Sequence, residues 1–201
     1  AALYLLIVLP FVTVGWVAPE GGPAGQQGMA ALGGVLLALL GFVVQASTEE
    51  IIFRGWLLPV VAARSRVWIG VAVSALIFAV LHFYNTPFTP QYLVQLLLAG
   101  VFLALWALWE SGLWGVCAFH VAINWIQENA LGLGAVTAPD GAVEGGVLVN
   151  LRETAAGPDL LTGGALGLED SLVLSLLLAA GSVVLAGLLQ RRVAAPGPEA
   201  G

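Results

Sequence analysis

Four apolar stretches, residues 32–44, 67–83, 92–109 and 172–189, decide the solvent in which this chain folds. They approach or reach the roughly 18 to 20 apolar residues that cross a bilayer. Of 201 residues, 60% are hydrophobic and 9% charged, with a mean hydropathy of +0.99, whereas soluble domains carry about 25% charged residues. Apolar runs between polar breaks predict helices near 2–18, 29–63, 67–84, 92–109, 113–130 and 171–190. The expected fold class is an all-α polytopic membrane bundle of about six transmembrane helices, in one transmembrane domain over 1–201 with its core at 29–130.

Charge gives the orientation and excludes some partners. Arg64 and Arg66 follow the second predicted helix and Arg191 and Arg192 the last, while the segments 19–28 and 131–170 hold one arginine between them. The positive-inside rule then predicts cytoplasmic termini in a multi-pass protein of the cell membrane. Trp109 and Trp114 bracket the short turn at Glu110, as interfacial aromatics do. The formal charge of −6 is concentrated in the Gly-rich segment 128–170, and six basic residues leave no stripe for a nucleic-acid backbone. Nucleic acid is not an expected partner; membrane lipid is. The lone Cys117 reads as a small buried hydrophobe. Without a basic n-region or an initiator Met, the N-terminus reads as trimmed and 2–18 as a first span. The extracytoplasmic loop at about 131–170 reads as a surface excursion or disorder before a lid, with Val147, Leu148 and Val149 as a possible strand.

Against this background a few residues are out of place. Glu49, Glu50, Arg54, His82, His120 and Asn124 lie in or at the edge of apolar helical stretches, where a central charge costs about 2.5 to 3.5 kcal/mol on insertion scales. Residues four apart share a helix face and neighbours do not, so Glu50 is expected to pair with Arg54, leaving Glu49 free for chemistry. The same rule turns Phe78 with His82, and His120 with Asn124, in common directions. Glu49 lies 15 residues before Arg64 and His82 lies 16 after Arg66, so a helical hairpin puts both roughly 23 Å from the turn. His120 and Asn124, counted from Glu110, lie about 15 and 21 Å from the same side. All four can share one layer, provided the second helix is continuous. A rival reading breaks it, because residues 47–50 also fit a capping box and Pro59 can kink a helix.

Three motifs emerge: Glu49-Glu50-Ile-Ile-Phe-Arg54, Phe78-Ala-Val-Leu-His82 and His120-Val-Ala-Ile-Asn124. Together, over residues 49–124, they resemble the E-E-x-x-x-R, F-x-x-x-H and H-x-x-x-N signature of the CPBP family of intramembrane glutamic endopeptidases. That family groups type II CAAX prenyl endopeptidases of the Rce1 kind with bacterial proteins linked to bacteriocin processing and self-immunity. The resemblance implies a membrane-embedded protease without an obligatory metal or other cofactor. It implies Glu49 as general base, His82 as the residue that helps hold and activate water, and His120 and Asn124 as the oxyanion-stabilising pair. Glu50 and Arg54 would support the site. Peptides or lipidated proteins are the implied substrates, with identity, prenylation and oligomeric state left open. Two alternatives accompany this reading. One is a zinc-dependent hydrolase using Glu49, His82 and His120 as ligands, although the sequence lacks an H-E-x-x-H helix. The other is a non-catalytic scaffold, immunity protein or transporter whose polar residues only join helices.

Overall fold

The computed structural model describes residues 2–21, 25–84, 88–133 and 145–194. Its helices are α1 (Ala2–Thr13), α2 (Leu32–Glu50), α3 (Leu58–Arg64), α4 (Val67–His82), α5 (Pro90–Glu110), α6 (Trp114–Trp125), the short α7 (Asp159–Thr162) and α8 (Leu172–Ala194). Two three-residue strands, β1 (Val17–Pro19) and β2 (Leu151–Glu153), pair antiparallel with Val17 opposite Glu153. The architecture is the expected helical membrane bundle. Among the described residues three helices are long and apolar enough to cross a membrane, Gly28–Arg64, Pro90–Glu110 and Leu172–Arg192, with the shorter apolar Val67–His82 beside them. Gly28–Arg64 carries its apolar surface outward: Leu37, Leu40, Val44, Ile51 and Trp56 are all exposed. Pro90–Glu110 is the more buried helix, packed against both α4 and α8.

The second helix is continuous from Leu32 to Arg64, so the break considered at residues 47–50 does not occur. Thr48 hydrogen-bonds the Val44 carbonyl, as a residue inside a helix does, instead of capping a new one. What changes is the winding: Ile51–Leu57 form π-helical turns between α2 and α3. Pro59 supplies the physical reason. It has no N–H, and its ring would press on the carbonyl four residues back in an α-helix; widening the ladder to five residues, with Leu58 N–H on the Phe53 carbonyl, lets the helix pass this point. Ser74 of α4 donates to the same Phe53 carbonyl at 3.0 Å.

Three expectations are revised in detail. The first helix stops at Thr13, short of the anticipated residue 18, because Gly15 takes φ +78° and the chain leaves as β1. The strand in the long loop falls at Leu151–Glu153 and not at 147–149; Val147 makes a single bridge to Gln27, while Leu148 and Val149 N–H groups bond the carbonyls of Asn129 and Ala130. Residues 145–170 are also no plain excursion. Leu151 and Leu168 are buried with Tyr4, Ile7, Phe11 and Leu174 in one core, because this segment carries enough apolar side chains to cover α1 and α8.

Close helix packing depends on Gly100 of α5, where a Cβ would lie 2.8 Å from the Ala75 Cα and Cβ of α4. Gly100→Ala is expected to overpack this contact and destabilise by about 1 to 3 kcal/mol. Gly187→Ala in α8, where a Cβ meets nothing, should be neutral or slightly stabilising. Thermal unfolding of both variants in detergent checks the contrast.

Candidate active site

Three helices bring Glu49, Glu50, Arg54, His82 and His120 together, and Asn124 follows on the helix of His120. Glu49 and Glu50 close α2, Arg54 follows in the π-helical turns, His82 ends α4, and His120 lies within α6 with Asn124 one turn on. Glu50 and Arg54 form an ion pair at 2.9 Å, with no side-chain surface exposed on either. The same Glu50 oxygen, Oε1, accepts a 2.8 Å hydrogen bond from His120 Nδ1. That contact links residues 70 positions apart, and it gives Glu50 a second partner beyond the one expected from helix spacing. Arg54 also donates from Nη2 to the Gly100 carbonyl at 3.3 Å. The guanidinium thereby joins α5 to the carboxylate that holds the imidazole.

With Nδ1 committed to Glu50, the Nε2 edge of His120 faces Glu49, 3.9 Å from Oε2. This separation exceeds a direct hydrogen bond. Glu49 is partly exposed, its side chain 24% accessible; Oε1 accepts from Gln45 at 3.3 Å, while Oε2 is buried and has no hydrogen-bond partner among the described residues. The two adjacent glutamates are thus in different electrical situations, one neutralised by a guanidinium and one not. Their roughly 100° separation around the helix is the cause.

Phe78 holds the other histidine in register. The His82 ring stacks on it at 4.3 Å between centroids, the His120 ring lies at 6.0 Å, and the Arg54 guanidinium carbon sits 4.4 Å from its centroid. A cation over an aromatic face is stabilised by the ring quadrupole, so Phe78 steadies Arg54 as well as both imidazoles. His82 Nδ1 is 2.8 Å from the Phe78 carbonyl. A carbonyl can only accept, so Nδ1 carries the proton and the neutral ring offers the Nε2 lone pair. His82 is within electrostatic reach of both Glu49 and His120. Asn124 is partly buried on the same helix as His120. Among the described residues no three His, Cys, Asp or Glu side chains are grouped to hold a metal ion, so the zinc set of Glu49, His82 and His120 does not form here.

Two neighbours escaped the sequence reading. Tyr92, near the start of α5, is buried in the cluster of Phe53, Phe78, Ala79 and Leu96. Glu169, from the loop before α8, hydrogen-bonds Tyr92 and acts electrostatically on His120 and Glu49. In sequence Glu169 looks like an ordinary acidic residue ahead of a helix, and only the folding-back of the loop reveals its surroundings.

Residues 31–126 match the family model described as type II CAAX prenyl endopeptidase Rce1-like. The match covers a little under half of the chain. It contains every residue of the three motifs and all three site helices, and its family supports a protease-type function in a membrane. No curated protein and no solved structure gives a match.

The buried ion pair at the base of the site generates a stability prediction. Arg54→Met strands a buried carboxylate and should destabilise by about 3 to 5 kcal/mol. Adding Glu50→Gln should recover much of that stability, because removing both charges avoids the desolvation penalty. Denaturant unfolding in detergent measures the difference between the single and double variants.

Proposed function

We propose that the protein is a membrane-embedded endopeptidase in which Glu49 activates water against a peptide bond of a membrane-associated or lipidated substrate. The observation that carries this reading is the continuous chain Arg54, Glu50, His120, Glu49, with contacts of 2.9, 2.8 and 3.9 Å. It leaves Glu49 Oε2 without a hydrogen-bond partner among the described residues, at a site where an imidazole edge is aimed. Both termini are assigned to the cytoplasm, following the arginines at the ends of the second and last helices.

In the proposed reaction a water molecule donates a hydrogen bond to Glu49 Oε2 and a second to the free Nε2 of His82. Glu49 accepts the proton as the water oxygen attacks the carbonyl carbon. A base within direct or one-water reach contributes about 10² to 10⁴-fold to such a step. The carbonyl π electrons move onto oxygen, where the Asn124 amide and the Nε2 edge of His120 are the donors. With its Nδ1 proton held by Glu50, His120 can donate from Nε2 only when the ring is doubly protonated. Collapse of the tetrahedral species breaks the C–N bond, and Glu49 passes its proton to the leaving nitrogen. The acyl product gains OH and the amine gains H, so the water is fully accounted for. Glu50 and Arg54 do not contact substrate; they fix the His120 ring so that little reorganisation accompanies charge development.

The test uses purified protein in detergent with a library of prenylated and plain peptides. Glu49→Gln should lower cleavage by at least about 10³-fold, and His120→Ala or Asn124→Ala by about 10² to 10³-fold, the scale of losing one oxyanion donor. His82→Ala should lower kcat by about 10² to 10⁴-fold. Cleavage retained by pure, folded Glu49→Gln protein would remove the mechanism.

A further inference from the structure

Glu49 carries two chemically equivalent oxygens, and the proposed reaction uses only Oε2. The terminal torsion of a glutamate is broad and roughly two-fold, so nothing intrinsic to the side chain decides which oxygen faces His120. The preceding helical turn does. Gln45 lies four residues earlier in α2 and on the same face, and its Nε2 donates to Glu49 Oε1 at 3.3 Å. Oε2 is then the buried oxygen, 3.9 Å from His120 Nε2.

The surroundings of Gln45 set this contact apart from an ordinary surface pair. From Leu32 to Val44 α2 has no polar side chain, and Leu36, Leu37, Leu40, Val43 and Val44 are exposed along it. Gln45 is the first polar residue of the helix and is itself exposed. An amide in such apolar surroundings is costly unless its hydrogen-bonding groups are met. Its neighbours cannot take over the contact. Ala46 has no polar group, Thr48 turns its hydroxyl back to the Val44 carbonyl, and Ser47, three residues before Glu50, belongs to the other face.

The two adjacent glutamates are therefore held from opposite directions along the helix. Arg54, one turn after, holds Glu50, and Gln45, one turn before, holds Glu49. The donors differ in kind. A guanidinium brings a full positive charge, whereas an amide orients a carboxylate and adds no charge of its own.

Taking the glutamate-dependent reading as its basis, we infer that Gln45 is a positioning residue, whose amide holds Glu49 Oε1 and so keeps Oε2 turned toward the histidines. It touches neither the water nor the peptide. General-base catalysis depends on the base staying within reach of the proton it takes, and misplacement of a reacting group is amplified in the rate. The scale is modest, because 3.3 Å is long for a hydrogen bond and the donor is neutral.

The experiment measures kcat and KM for wild type, Glu49→Gln, Gln45→Met and Gln45→Asn on one peptide that the wild type cleaves, with thermal unfolding alongside. Gln45→Met keeps the length of the side chain and removes the donor. It should lower kcat about fivefold, the scale of one hydrogen bond, with KM within about twofold and the wild-type unfolding temperature. Gln45→Asn retains an amide on a shorter stem, and its kcat should lie between those of wild type and Gln45→Met. Wild-type kcat in Gln45→Met overturns the proposal, as does a loss of rate that follows lost thermal stability or appears in KM instead of kcat. A slower Gln45→Asn than Gln45→Met also overturns it, since the amide would then be doing nothing. If Glu49→Gln cleaves as well as wild type, the glutamate mechanism itself fails; if Glu49→Gln is dead and Gln45→Met matches wild type, Gln45 alone is ruled out.

Discussion

Glu50 and Arg54 place opposite charges one turn apart with no exposed side-chain surface, in a helix whose outer face is Leu, Ile, Val and Trp. Removing both from water costs several kcal/mol per ion, and their mutual attraction offsets this only if the remaining donors and acceptors are also satisfied. Three neighbouring elements supply those partners. His120 adds a donor to Glu50, Gly100 an acceptor to Arg54, and Phe78 an aromatic face beneath the guanidinium. Each element that carries a site residue therefore meets at this pair. The close approach of α4 to α5 at Gly100 and the π-helical turns around Arg54 are the backbone conditions that let the partners reach it.

The long helix shows how local strain and chemistry coincide. Pro59 prevents an ordinary ladder, and the π-helical turns that accommodate it begin immediately after Glu50 and include Arg54. Glu49 and Glu50 thus occupy the last regular turn before the winding changes. Regular α-helix over 45–50 fixes the angle between the two glutamates, and the wider turns beyond adjust where Arg54 sits relative to α5. Such π-helical segments recur at functional sites, and here the one beside the motif also has its Phe53 carbonyl bound by Ser74 of α4.

Much of the bundle was legible in sequence because a bilayer imposes a length on apolar runs that water does not. The helix at 67–82 and those starting near 90, 114 and 172 all fall within a few residues of the apolar boundaries. Helix spacing also anticipated the Glu50–Arg54 pair, since residues four apart must meet. The contact of His120 with Glu50 was beyond this kind of reading: spacing gives the direction of a side chain on its own helix, not which of two adjacent glutamates a separate helix will face. Gly15 ended α1 early through backbone conformation, a signal that an apolar count overlooks. Glu169 was hidden for a related reason. In a Gly-rich loop, composition speaks for exposure, yet positive-φ glycines also allow the sharp reversals that carry Leu166 and Leu168 into the core.

The electrostatic layout follows from these packing facts. Arg54 is committed to Glu50 at contact distance, and the 3.9 Å gap to His120 leaves Glu49 outside a closed hydrogen bond with the imidazole. A carboxylate fully paired with a cation is a poor base, whereas one left wholly alone in an apolar bundle would take up a proton and lose its charge. Holding His120 from its far side resolves this conflict, because the imidazole is drawn toward Glu50 and stays near Glu49 without closing on it. The adjacent acidic residues are therefore not redundant: Glu50 fixes one edge of the His120 ring, and Glu49 meets the other.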